Sequence, residues 1–240
     1  MDLTIDQGNT YCKAALFDDD AIIAQFCVKN DSIKDLKEDL QCFNIDKAII
    51  SSVSEPIEVL SLLTQMDIKV SLLSHESKLP INIEYYTPET LGIDRVAAAV
   101  GAWHISPTTS NLRIDIGTAI TYDLCLPERG FVGGNIAPGL DMRLKAMHTF
   151  TKKLPLLERA EVPNYFGKST KEAMINGAQL GILAEINSYI KHAKEKCGKI
   201  SVFLTGGDAQ YFENEIKNSI FASPNLLMIG LREILRINQY

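Results

Sequence analysis

Leu112-Arg-Ile-Asp-Ile-Gly-Thr-Ala-Ile-Thr-Tyr122 decides the architecture, because the chain has already presented a close version of it at Leu3-Thr-Ile-Asp-Gln-Gly-Asn-Thr-Tyr11. A shift of about 109 positions superposes Leu3 on Leu112, Ile5 on Ile114, Asp6 on Asp115 and Gly8 on Gly117. Each copy reads as an apolar strand ending in a carboxylate, a glycine turn carrying Asn or Thr, and a return strand. Internal repetition of this kind indicates two related lobes, each opening with a β-hairpin.

Outward from the hairpins, strands and helices alternate. After the first hairpin, Ala21–Val28 reads as a third strand and Asp31-Ser32 as the cap of a helix running to about Cys42, with Ile33, Leu36 and Leu40 at helical spacing. Ala48 to Val53 suits a buried parallel strand. Glu55–Gln65 is a helix with Pro56 in its first turn, and Lys69–Leu73 is another short strand. Residues 74–90 break the pattern before a strong helix from Val96 to Trp103. Ser106 to Ser110 marks the boundary, giving lobes at 1–107 and 108–240. In the second lobe Gly130–Ala137 supplies a third strand, and Pro138-Gly139 opens a helix through Leu140, Leu144 and Met147. Ser169-Thr-Lys-Glu172 fits a capping box before a helix to about Lys196, on which Gly177 and Gly181 would permit close packing. Ile200–Leu204 is a buried strand, followed by a helix, a short strand near Leu226 and a C-terminal helix. This alternation indicates an α/β class.

The composition excludes several functions. A net charge of −6 argues against a general nucleic-acid binder. The charge is uneven: Arg143 to Lys199 carries eleven Lys/Arg against five Asp/Glu. That segment is either a set of solvated helix faces or a lobe facing an anion. No window approaches a membrane span, and Met1 to Asp6 has no signal-peptide character. Cys12, Cys27, Cys42, Cys125 and Cys197 are odd in number and lack a CxxC, so they read as reduced thiols of a cytoplasmic protein. The scattered histidines offer no zinc site.

A glycine turn between strands points successive backbone N–H groups into one concavity, which suits phosphate oxygens. Asn9, Thr10, Thr118 and Thr121 can add hydrogen bonds, while the acidic residue before each turn can hold a cation that neutralises phosphate, directly or through water. Either hairpin alone reads more readily as a plain β-turn; the repetition favours phosphate. Thr205-Gly-Gly-Asp208, after a buried strand, lets a flat base or ribose lie against the backbone, or is simply a turn. In Gly92-Ile-Asp-Arg95, Arg can clamp a carboxylate and Asp can take a proton from an attacking hydroxyl; an exposed helix-start ion pair is the plainer alternative. Gly167-Lys-Ser-Thr170 mimics the end of a Walker A loop, but the required glycine is Val162 and Pro163 to Phe166 replaces the preceding strand. Thr170 then stands at a helix N-terminus, a good place to meet a carboxylate or amide.

Together, Asp6-Gln-Gly-Asn-Thr10, Tyr85 to Arg95, Asp115-Ile-Gly-Thr-Ala119 and Gly167 to Thr170 resemble the type III pantothenate kinases, of the acetate-kinase, sugar-kinase, Hsp70 and actin superfold. The resemblance implies two related lobes of the actin-like ATPase (ribonuclease H-like) fold with a ligand cleft between them. It implies ATP-dependent phosphorylation of pantothenate to 4'-phosphopantothenate, the first step of coenzyme A biosynthesis. Asp6, Gln7, Gly8, Asn9, Thr10, Tyr11, Cys12 and Lys13 then form the first phosphate loop for ATP, with Thr118 on the second. Asp115 helps hold a monovalent cation (K+ or NH4+) used beside Mg2+. Asp94 resembles the general base, and Tyr85, Gly92, Ile93, Arg95 and Thr170 resemble pantothenate contacts. The family is a homodimer with its acceptor pocket near the subunit interface. Two departures, Ile93 in place of Ala and Thr87 in place of Asn, remove no functional group. A kinase for another small acceptor and a non-catalytic nucleotide-binding regulator are the alternatives; the retained Asp6, Asp94 and Asp115 weigh against the second.

Overall fold

The computed structural model describes residues 1–52, 54–161, 164–216 and 220–238. Val53, the expected end of one strand, and Val162 and Pro163, which weighed against a P-loop, lie outside the described residues. The chain forms two compact units: Met1–Thr108 with Pro127–Val132 and Asn225–Tyr240, and Thr109–Leu126 with Gly133–Pro224.

The first unit carries β1 (Asp2–Gln7), β2 (Tyr11–Asp18), β3 (Ala21–Lys29), β4 (Lys47–Ser52) and β5 (Lys69–Leu72), ordered β3-β2-β1-β4-β5. β1, β2 and β3 pair antiparallel, whereas β1, β4 and β5 run parallel. The helix expected from Asp31 is a 3-10 stretch, Asn30–Asp35, followed by a short α1 (Leu36–Leu40). The Ser32 hydroxyl donates to the neighbouring Asp31 carboxylate instead of capping a helix. Ile33, Leu36 and Leu40 are buried regardless. They pack with Leu3, Ile5 and Ile50 and with Val59 and Leu63 of α2 (Ile57–Gln65). The strong apolar helix is α3 (Ile93–Ile105).

The second unit repeats this plan with β6 (Ser110–Ile116), β7 (Ala119–Leu126), β8 (Gly130–Pro138), β9 (Ile200–Thr205) and β10 (Phe221–Ala222), ordered β10-β9-β6-β7-β8. Read from the other edge this is the same succession, so the sequence repeat extends to sheet topology. Helices α4 (Leu140–Thr149), α5 (Thr170–Cys197) and α6 (Ala209–Glu213) follow. At the start of α5 the Ser169 hydroxyl accepts the Glu172 N–H at 3.2 Å, while the Glu172 carboxylate accepts the Lys168 N–H at 2.7 Å. Ile182, Ile186 and Ile190 repeat every four residues and bury against Ile114 and Leu204; each such side chain contributes about 1.5–3 kcal/mol.

Three expectations are corrected here. Among the described residues outside the helix's own backbone, Gly177 has no atom within 4 Å of where a Cβ would stand, and Gly181 meets only the Arg143 guanidinium, so neither makes a close backbone contact there. The close approach falls elsewhere, between α3 and the C-terminal helix α7 (Leu226–Ile237). A Cβ on Gly230 would stand 1.7 Å from the Ala97 carbonyl oxygen, and one on Gly101 would stand 2.0 Å from that of Leu226. The two helices therefore meet backbone to backbone. Leu226 begins this helix, and the short strand expected there is β10 instead. Because α7 covers the second face of the first sheet, with the Thr4 hydroxyl 3.4 Å from the Met228 sulfur, the first unit is not the contiguous segment 1–107. Double cover also explains why Leu3, Thr4 and Ile5 are buried in succession rather than alternately.

Candidate active site

The β1–β2 turn of the first unit is closed by the Gly8 N–H donating to the Tyr11 carbonyl at 3.0 Å. The Asn30 amide donates to the Gly8 carbonyl at 2.8 Å, and the Asn30 N–H to the Thr10 carbonyl at 3.0 Å. Asn30, just past β3, thus braces the turn from one side. Asn9, Thr10, Tyr11 and Lys13 are exposed, Asp6 is half-buried, and Lys13 lies directly across the ladder from Asp6. Two members of the expected loop point inward. Gln7 is buried and accepts from the Ser52 hydroxyl at 3.5 Å. Cys12 is sealed in the core, where burial, with the Asp6 and Cys27 charges adding to it, pushes its thiol up to about 12. Its side chain is therefore shut off from a ligand.

Gly92 precedes the first helical residue of α3, and the Arg95 and Val96 N–H groups donate back to its carbonyl. Asp94 lies in the first turn, where the helix dipole favours a carboxylate. Its Oδ1 curls over Gly92, so close that a Cβ there would come within 2.5 Å. Ile93 is half-buried and Arg95 buried. The guanidinium carbon of Arg95 stands 5.8 Å from the centre of the Phe131 ring, and the Tyr85 ring meets that same ring edge-on at 6.0 Å. Sequence reasoning missed Phe131 entirely, since it lies outside every motif.

In the second unit the β6–β7 turn is closed by the Gly117 N–H on the Ala119 carbonyl at 3.1 Å. Two other turns support it. The Gly139 N–H donates to the Thr118 carbonyl at 3.0 Å, and the Asp208 N–H to the Ile116 carbonyl at 2.9 Å. Gly206, at φ +99°, lies against Ile116 and the Asp115 carboxylate with no room for a Cβ. Thr118 itself is exposed. Beneath the turn, Arg113 is buried and pairs with both Asp115 and the fully buried Asp123; its Nη1 donates to the Thr121 hydroxyl at 3.3 Å. The Asp115 carboxylate, expected to hold a monovalent cation, thus already shares a guanidinium. Arg113 lies within the repeated motif, and its odd position in an apolar strand, facing Asp123 across the ladder, is the sequence signal of this pairing.

The Thr205-Gly-Gly-Asp208 turn is held by Arg159, which pairs with Asp208 at 2.6 Å and also with Asp141 at the start of α4. Hydrogen bonds to Asp141 first and Asp208 second drive the Arg159 pKa further up. Arg143 pairs with Glu185. Part of the positive charge between 143 and 199 therefore answers acids of its own unit. Thr170 opens α5 and is exposed. Among the described residues no three His, Cys, Asp or Glu side chains converge as a metal cage, so Asp6 or Asp115 could supply only part of a cation's shell.

Residues 2–192 match the family model of the type III pantothenate kinases. A type III pantothenate kinase of Bacteroides fragilis (strain YCH46) is 41% identical over 239 residues, which is 99% of this chain and 98% of that protein. One of Cytophaga hutchinsonii is 38% identical over 238 residues, 99% and 100% of the two chains. Among solved structures, a Campylobacter jejuni protein described as a Baf family transcriptional activator matches 98% of both chains with a TM-score of 0.65 at 22% identity, a likeness of fold alone. Twin sheets of one succession, each with a glycine turn after an acidic strand end, make this an α/β protein of the actin-like ATPase and sugar-kinase fold. The chain belongs to the type III pantothenate kinase family, whose members phosphorylate pantothenate in the first step of coenzyme A biosynthesis. As a kinase family it implies ATP and a divalent metal ion.

Proposed function

We propose that this chain transfers the γ-phosphoryl group of ATP to the primary hydroxyl of pantothenate, with Asp94 as general base. The observation that carries this is the start of α3, where Asp94, half-buried, stands beside Arg95, whose guanidinium shares the Phe131 ring with Tyr85. A base and a carboxylate clamp on adjacent residues of one helix turn can hold both ends of a short hydroxy acid. Asp94 accepts the hydroxyl proton as that oxygen bonds to phosphorus and the bond to the departing ADP breaks. Tyr85, Gly92, Ile93 and Thr170 complete the acceptor contacts.

Asp6 through Lys13 and Thr118 receive the phosphates. The exposed Asn9, Thr10 and Lys13 support this for the first turn, and the exposed hydroxyl supports it for Thr118. Magnesium, when bound, damps the phosphate charge during transfer. For the monovalent cation (K+ or NH4+), Asp115 fits as one oxygen donor beside Arg113, and water and phosphate would complete the shell. Two observations bear on assembly and location. Phe150, Leu156, Tyr165 and Phe166 are all strongly exposed on the second unit, which favours a homodimer. The five cysteines are free thiols, which favours the cytoplasm. Among the described residues no helix is long and apolar enough to cross a membrane.

Asp94→Asn tests the base. Its kcat, read by mass spectrometry of phosphopantothenate with and without potassium, should fall roughly 10²–10⁴-fold with ATP affinity retained. Near-normal turnover would end the assignment. ATP consumption with a different acceptor and none with pantothenate would instead make this a kinase of another substrate.

A further inference from the structure

We propose that Phe131 is a positioning residue of the acceptor site, its ring holding the Arg95 guanidinium and the Tyr85 ring in the arrangement that receives the substrate carboxylate. This rests on Tyr85 and Arg95 being acceptor contacts, as proposed above.

The backbone makes the ring's placement rigid. The Phe131 N–H donates to the Asn82 carbonyl at 2.9 Å, and the Phe131 carbonyl accepts the Glu84 N–H at 2.8 Å, so Ile83 and Phe131 pair as a short parallel bridge. Arg129 adds an ion pair to Glu84. Although residues 130–132 open β8, the stretch 127–132 is thereby built into the first unit. The Phe131 ring is fully buried, and Arg95 is only 6% exposed. A guanidinium so removed from water gains more from an aromatic face than one at the surface. At 5.8 Å from the ring centre Arg95 is within reach of the ring quadrupole. The Tyr85 ring, inclined by 68°, makes an edge-on contact with the same ring.

A ring engages the guanidinium through its face, which is compatible with in-plane bonds to an anion.

The experiment compares the enzyme carrying 3,4,5-trifluorophenylalanine at position 131 with Phe131→Leu and with Arg95→Met. Fluorination keeps the ring's shape and weakens its quadrupole. The fluorinated enzyme should keep its melting temperature and its KM for ATP, while its KM for pantothenate rises about fivefold. Phe131→Leu should raise that KM further, about tenfold, because the face is lost altogether. If fluorination leaves the pantothenate KM unchanged while Arg95→Met raises it, Phe131 only fills space and the proposal fails. If Arg95→Met leaves it unchanged too, Arg95 is not an acceptor contact and the proposal falls with that assignment.

Discussion

The β1–β2 turn and the β6–β7 turn share a carboxylate, a glycine and a hydroxyl at matching positions, yet they are supported differently. At the first, Asn9, Thr10, Tyr11 and Lys13 face outward, and Asn30 braces the turn. At the second, Gly139 and the Gly206-Gly207 turn press against the loop from below, and a buried Arg113 ties Asp115 to Asp123. Two copies of one motif are built differently: the first is open, and the shape of the second is set by its neighbours.

The sharpest way to break this comparison is a matched pair of alanines. Gly206→Ala places a Cβ 2.3 Å from the Ile116 carbonyl at a positive φ, and should cost about 3 kcal/mol or more in urea unfolding. Gly8→Ala meets the Tyr11 carbonyl at an ordinary 3.6 Å and, among the described residues, nothing closer, and should cost less than about 1 kcal/mol. Equal losses would mean that the two turns are built alike.

A second pair concerns charge. Arg113→Met leaves Asp115 and Asp123 without the guanidinium between them and should cost about 3 kcal/mol of stability, measured by denaturant. Lys13→Met removes an exposed cation and should leave stability nearly unchanged, while raising the KM for ATP about tenfold, worth ~1.4 kcal/mol. A stability loss at Lys13 matching that at Arg113 would show that the first turn is packed after all.

The smallest effect is alkaline. Cys12 behind the first hairpin and Cys125 behind the second are both buried, and burial pushes each thiol up to about 12 from an ordinary 9.0. The folded chain keeps these protons where the unfolded chain releases them. Their stabilising contribution is therefore full below pH 9 and is lost progressively as pH rises toward 12. Melting temperatures across that window should fall less steeply for Cys12→Ala and Cys125→Ala. With iodoacetamide on the native protein, Cys27 and Cys42, both exposed, should label first.

Much of this was legible in the chain. The repeat of Leu3 to Tyr11 at Leu112 to Tyr122 announced the duplication because tight turns need particular residues at particular offsets, and those offsets survive in sequence. The cap at Ser169 and the helix behind it were readable for the same local reason. The division into units was not readable, because α7 joins the first unit through Gly101 and Gly230, two glycines far apart in the chain whose value appears only when two helix backbones touch. At the site, Asp94 and Arg95 stood out by type and spacing, whereas Phe131, Arg159 and the role of Arg113 did not. An aromatic under a guanidinium carries no local signature.

The sequence alone determined the α/β class, the paired acidic turns and the residues able to hold phosphate or move a proton, since these follow from backbone conformation and side-chain chemistry over a few neighbouring positions. Only the tertiary structure decided which carboxylate is shared with a buried guanidinium, which thiol is sealed away, and which ring steadies Arg95. Those outcomes depend on partners brought from distant parts of the chain and on how much water folding leaves around them.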